Sequence, residues 1–270
     1  MADRKQIRQQ FFQRHPRCCF CGGNEPATTE DHQPARSLFD ERKWPEGYNF
    51  PACSKCNEAS RPYENVFALL VRMAPGSDAS GVQKAEFQKL LEASANNFPG
   101  LLQRMTANDK RRFFREEDLP KPKGVAFSEL DMCAVDATLT QDSVMMILQK
   151  LSCALHYKHT GSILPKEGRI FIKWITNAYT HRGTGFNEFI GLLQGRPNLV
   201  RTTVSLIDQF DYVFATDPSG SSFSAFFCFF RTAFAGYGLA FNSEKLAGYE
   251  FHPSELRSPF NWTNSAGPTA

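Results

Sequence analysis

Two Cys-x-x-Cys pairs, Cys18/Cys21 and Cys53/Cys56, constrain this chain more than any other feature. A pair with a two-residue spacer bites one metal ion through a tight turn, and two pairs complete a tetrahedral thiolate shell. Gly22 and Gly23 follow the first pair directly and suit the sharp turn that such a knuckle requires. Cys19 offers a competing Cys19-x-Cys21 spacing, but the two-residue spacer fits better. The expectation is a structural zinc held by Cys18, Cys21, Cys53 and Cys56. The single cysteines Cys133, Cys153 and Cys228 lie in apolar surroundings and read as core residues.

The zinc reading depends on the redox setting. The opening run MADRKQIRQQFFQRHPR is polar and basic and lacks the apolar segment of a secretory signal, so a cytoplasmic location is expected. Eight cysteines in a reducing compartment point to metal ligation rather than to a disulfide framework. No membrane partner is expected, because the most apolar run, Ser224 to Phe241, is interrupted by Arg231. An apolar fraction of 41% with 25 Phe supplies a real core. A net charge of +3 is compatible with nucleic-acid binding without arguing for it, so function must come from a site.

Apolar spacing predicts a first helix over residues 3–13 with a basic rim, then helices over 62–73, 82–93 and, briefly, from Leu101. The charge run from Asp109 and the LPKPKG segment place a soft boundary near residues 120–124. Beyond it, Asp142 is the expected N-cap of a helix reaching Tyr157, followed by helices over 169–181 and 186–193. The last third is rich in β-branched and aromatic residues broken by DPSGS, which predicts an antiparallel sheet with Phe226–Phe230 as a doubly buried strand. The expected class is α+β: a small zinc-stabilised ββα module, then helices, then a C-terminal α+β region. The expected domains are 1–73 (the module), 74–123 (a connector) and 124–270, a region that takes a ligand or protein partner in a sensor or targeting role. His156 and His159 read as surface residues rather than ligands.

Between the cysteine pairs lies TTEDHQP, residues 28–34, a strand ending at a Pro that forces the chain out. His32 has three readings there: a surface residue, a spare zinc ligand, or a catalytic group. Four thiolates already fill a zinc shell, which leaves His32 free for chemistry.

The ordered set Asp31-His32, Pro34, Asn49 and Asn57, enclosed by the four cysteines, resembles the HNH endonuclease family. That family has a ββα-metal core with an Asp-His step, a middle Asn and a final His or Asn on a helix. The resemblance covers about fifty residues and departs from the commonest pattern twice, with Ala35 in place of a second Pro and Ser60, followed by Arg61, in place of a Lys. It implies a DNA endonuclease of bacterial or phage type. His32 would be the general base, Asn49 would brace it, and Asp31 and Asn57 would hold a catalytic Mg²⁺ or Mn²⁺ as Lewis acid. Arg17, Arg36, Lys43, Lys55 and Arg61 are candidate contacts to the DNA backbone. The alternative is a zinc-stapled adaptor that binds nucleic acid or protein without catalysis.

Overall fold

The computed structural model describes residues 4–73, 80–121, 123–176, 191, 193–217, 222–242, 252 and 255–259. Helix α1 (Arg4–Arg14) leads into a two-stranded antiparallel hairpin of β1 (Thr29–His32) and β2 (Asn49–Ala52), and α2 (Ser54–Met73) begins two residues after β2. The order is strand, strand, helix. In the hairpin His32 lies opposite Asn49 and Asp31 opposite Phe50. Because strand side chains alternate, His32 shares a face with Asn49 and Glu30, and Asp31 points the other way.

Helix α3 (Gly81–Asn97) starts at a capping box, in which the Ser80 hydroxyl accepts from Gln83 N–H and the Gln83 side chain accepts from Ser80 N–H. Thr106 and Asp109 form the same device at the start of α4 (Ala107–Glu116). Strands β3 (Leu102–Arg104) and β4 (Cys133–Val135) pair beside α4 in sequence. The expected helix from Leu101 is therefore a strand, its backbone hydrogen-bonded to a segment some thirty residues on.

Helix α5 (Ala137–Thr160) is capped by Asp136, not Asp142, with the Asp136 carboxylate accepting from Leu139 N–H. Every residue from Ser143 to His156 is buried, so this helix is packed on all sides. One side meets α2. The other meets a five-stranded antiparallel sheet of β5 (Arg169–Thr176), β8 (Phe210–Thr216), β9 (Phe223–Phe230), β10 (Phe234–Phe241) and β11 (Leu256–Arg257), in the order β11-β5-β10-β9-β8. Strands β6 (Val200–Arg201) and β7 (Val204–Ser205) form a separate small hairpin.

Two glycines let α5 lie close on β10. A Cβ at Gly236 would stand 2.8 Å from Leu148 Cδ1, and one at Gly238 would stand 2.9 Å from Ser152 Oγ. Large residues there would lift the helix off the sheet. The stretch 169–176 pairs with β10 along its whole length and is a strand, where sequence spacing predicted a helix. Its alternation of half-buried and buried residues at 169–172 is the strand period. The helix expected at 186–193 lies mostly outside the described residues. His156 is fully buried and His159 stacks on Phe214 with ring centroids 3.5 Å apart, so neither is a surface residue.

The hydrophobic core is continuous from the hairpin to the large sheet. It includes Phe20, Phe50, Leu69, Leu151 and Phe230, with Phe67 of α2 edge-on to Phe230 at 4.8 Å. Each such side chain, fully buried, contributes about 1.5–3 kcal/mol of transfer free energy. The segments 1–73 and 124–270 thus share one core. Among the described residues no helix is long and apolar enough to cross a membrane.

Candidate functional site

The Sγ atoms of Cys18, Cys21, Cys53 and Cys56 lie within 4.8 Å of one another. Tetrahedral zinc with Zn–S bonds of about 2.3 Å places its sulfurs about 3.8 Å apart, so the four thiols are gathered to nearly the size of that shell. Two backbone amides support it: Phe20 N–H donates to Cys18 Sγ at 3.4 Å and Cys56 N–H to Cys53 Sγ at 3.5 Å. The Cys18 thiol is drawn down to about 5, chiefly by a hydrogen bond from Cys56. Cys19 is fully buried outside this set, and burial pushes its thiol well above the ordinary range. The competing Cys19 spacing is not used. The cluster ties the start of β1's lead-in to the first turn of α2, which sets the angle between hairpin and helix.

The loop between β1 and β2 is shaped by Asp40. Its Oδ1 meets Arg231 at 2.6 Å and Arg72 at 3.2 Å, and its Oδ2 accepts from Gln83 at 2.8 Å. Arg72 also donates to the carbonyls of Ser37 and Phe39, at 3.2 and 2.8 Å. These contacts hold Glu41 and Arg42 in the left-handed region, with φ of 54° and 56°. Such backbone costs on the order of 1–3 kcal/mol per non-glycine residue and persists where its surroundings enforce it.

The loop delivers Trp44 to His32. The two rings meet edge-on, with centroids 4.5 Å apart and planes at 84°. Trp44 Nε1–H donates to Asn49 Oδ1 at 2.9 Å, and Asn49 Nδ2 donates to Glu30 Oε2 at 3.0 Å. Asn49 thus links Trp44 to Glu30 and stands opposite His32 in the hairpin. A cleft of about 790 Å³ opens here, lined by Lys5, Arg8, Glu30, His32, Arg36, Trp44 and Asn49 among others. The His32 imidazole is pushed down to about 4, first by burial and then by the charge of Arg36, with Arg201 and Arg42 adding to it and Glu64 opposing.

Asp31 occupies the back of the hairpin. It is 4% exposed, and Lys150 of α5 meets its Oδ2 in an ion pair at 2.5 Å. The same ammonium, itself fully buried, reaches Glu64 Oε1 at 3.2 Å and donates to Ser60 Oγ. Burial raises the Asp31 carboxyl to about 6, with Lys150 pulling it down and Glu64 pushing it up. Burial works against the Lys150 charge, but Asp31 and Glu64 outweigh it and hold the ammonium protonated. Asp31, expected as an oxygen ligand for a cation, has an internal ammonium as its partner here. Asn57, half-buried on α2, donates its amide to Thr29 Oγ1 at 3.1 Å.

Of the five expected backbone-contact residues, Arg36 alone lines the cleft. Arg17 donates to the Asn24 carbonyl at 3.3 Å, Lys43 pairs with Glu41 at 2.6 Å, and Lys55 and Arg61 are exposed on α2. The residues missed from sequence are Trp44, Lys150 and Arg201. Trp44 was within reach, as a lone Trp between the pairs. Lys150 is a charge inside an otherwise apolar helical face, which marks a buried pair. Arg201 carries no local signal, since only the fold brings it to the site. No protein-family model, curated protein or solved structure matches this chain.

Proposed function

We propose that the zinc-stapled module is an HNH-type endonuclease that hydrolyses phosphodiester bonds in DNA, with His32 as general base. The observation that carries this reading is His32 itself. It is an imidazole held neutral at pH 7, braced by Trp44 and Asn49, and set in a cleft walled by arginine and lysine. A neutral imidazole accepts a proton from water. A phosphate lodged against Arg36 and Arg201 offsets their charges and returns the imidazole toward the pKa range in which a base works best. The strand–strand–helix order and the four-thiolate cluster support the same reading.

The resemblance further implies Mg²⁺ or Mn²⁺ between Asp31 and Asn57. A hard divalent cation needs several free oxygen ligands. The Asp31 carboxylate is enclosed and paired with Lys150, whereas Asn57 donates its Nδ2 to Thr29, which does not engage its Oδ1. A carboxylate committed in this way does not fit a divalent site, and no catalytic step is assigned to one.

The same buried ion pair favours a second reading, a zinc-stapled adaptor that binds nucleic acid or protein at the cleft without cutting. Supercoiled plasmid incubated with zinc-loaded protein, with and without added Mn²⁺, separates the two. Nicking by the wild type and its loss in His32→Ala, at unchanged zinc content and melting temperature, is the expected result. Equal nicking by both proteins, or none under any condition, sinks the nuclease and leaves the adaptor.

A further inference from the structure

Three guanidinium groups gather about His32, opposed by the carboxylates of Glu64 and Glu30 without an ion pair to either. Arg36 and Arg201 both lie over the Trp44 ring, their Cζ atoms 4.7 and 4.2 Å from its centroid, and Arg42 is near enough to act on the same imidazole. Among the described residues none of the three forms an ion pair. The nearest acids are occupied: Glu30 accepts from Asn49, and Glu64 accepts from Lys150, Ser60 and Gln33. Arg36 registers the repulsion, since after burial its pKa is lowered most by Arg42 and Arg201. Like charges held together in this way are relieved by a bound anion.

The placement of Arg201 is built rather than incidental. It ends β6 and precedes Thr202, whose N–H donates to Glu46 Oε1 at 2.8 Å, while Glu46 N–H donates to the Val200 carbonyl at 3.0 Å. These bonds fix the β6–β7 hairpin to the loop that carries Trp44. The indole in turn gives both guanidinium groups an aromatic surface, and a guanidinium fork matches the paired oxygens of a phosphodiester.

We propose that Arg36 and Arg201, fixed on Trp44 beside His32, form the clamp for the scissile phosphate, and that the cleft works without a divalent cation at Asp31. The clamp rests on the nuclease reading for its chemistry but not for its binding. In the step it serves, a water oxygen attacks phosphorus while its proton passes to His32. The bond to the leaving oxygen breaks, and that oxygen takes a proton from solvent. The charge that builds on the non-bridging oxygens falls on the two guanidinium groups, a role that Arg fulfils elsewhere in phosphoryl transfer. Lys150 completes the arrangement from behind: it pairs with Asp31 on the face of the hairpin away from His32.

The test uses zinc-loaded full-length protein and a fluorescent DNA oligonucleotide in buffer freed of divalent ions by a chelating resin. Affinity is read by anisotropy and cleavage by gel, each with and without millimolar Mg²⁺. Arg36→Gln and Arg201→Gln are each expected to weaken binding roughly tenfold to a hundredfold, the worth of a charge-assisted hydrogen bond. Each should also flatten the dependence of log K on log salt by about one. Arg201→Lys keeps the charge without the fork and should recover the salt slope but not the affinity. Zinc content and melting temperature serve as the fold control.

Unchanged binding in both Gln variants overturns the clamp, and a requirement for Mg²⁺ in binding or cutting overturns the cation-free step. Arginine-dependent binding with no cleavage under any condition upholds the clamp and removes the nuclease. Cleavage indifferent to Arg201→Gln does the reverse.

Discussion

Replacing Lys150 by Met is the most demanding test of the packing behind the hairpin. Met matches the length and volume of the lysine stem, so the change removes the charge and leaves little cavity. Two carboxylates then lose their partner: Asp31, at 2.5 Å and 4% exposed, and Glu64, at 3.2 Å. With an effective dielectric of about 20 the two attractions are each worth roughly 5–7 kcal/mol before desolvation is subtracted. Removing one partner of such a buried pair costs about 3–5 kcal/mol. The carboxyl can escape part of this by taking up a proton. In the wild type Lys150 restrains the rise in the Asp31 pKa, which stands at about 6. Without the lysine only burial and Glu64 remain, and both push further up.

The sign follows. A carboxyl whose folded pKa lies above its unfolded value is protonated in the native state while the unfolded chain is ionised, so stability falls as pH rises through that window. In the wild type the fall is complete near pH 6. In Lys150→Met it continues above pH 6, and the variant should be markedly weaker at pH 8 than at pH 5. Urea unfolding followed by tryptophan fluorescence reads the loss at constant m. The double variant Lys150→Met/Asp31→Asn should recover most of it. A single variant within about 1 kcal/mol of wild type at pH 8, or one weakened equally at pH 5 and pH 8, would refute the claim that Lys150 compensates Asp31.

Cys53→Ser should lower zinc from one ion per chain and melt the hairpin, whereas Cys19→Ser should keep the zinc and cost only about 1–2 kcal/mol for burying a hydroxyl; metal analysis beside a melting curve distinguishes them. His156 is fully buried, its Nδ1 bonded to Ser224 Oγ at 3.0 Å, and burial holds its pKa near 4. Its folded value is depressed, so the stability it confers is present above about pH 6.5 and is lost as pH falls toward 4, a difference of about 3 kcal/mol that His156→Gln should abolish in an acid titration. Arg72→Lys should fail to replace arginine, because one ammonium cannot serve Ser37, Phe39, Asp40 and Glu86 together; a loss of about 2–3 kcal/mol and a changed Trp44 emission are expected, and wild-type emission would count against the loop's dependence on Arg72.

The local parts of the structure were readable because their causes are local. The cysteine spacing, the short strand before Pro34 and the apolar stripe of α2 each depend on residues within a few positions of one another, and each stands where the spacing places it. The stretch 169–176 was misread for the complementary reason. Its apolar residues satisfy a helical as well as a strand period, and the choice is made by β10, some sixty residues away, which offers a full antiparallel ladder. Likewise the cap of α5 is Asp136 because Ala137 and Leu139 carry the helix nearly two turns earlier than the apolar stripe alone implies.

The site divides along the same line. Asp31, His32, Asn49 and Asn57 were identifiable from order and spacing, but their surroundings were not. What makes His32 and Asp31 different is set from across the chain, by Arg201 on the Trp44 side and Lys150 on the α5 side. Two adjacent residues of one strand therefore face different charges: His32 lies among arginines with Glu64 opposing them, and Asp31 lies against a buried ammonium. Period-two alternation is what separates them, and the shared core from α2 through α5 to the large sheet is what holds each environment in place. The hairpin beside the four cysteines carries His32 and Asp31, while the segment after residue 124 brings Arg201 to the Trp44 side and Lys150 to the other.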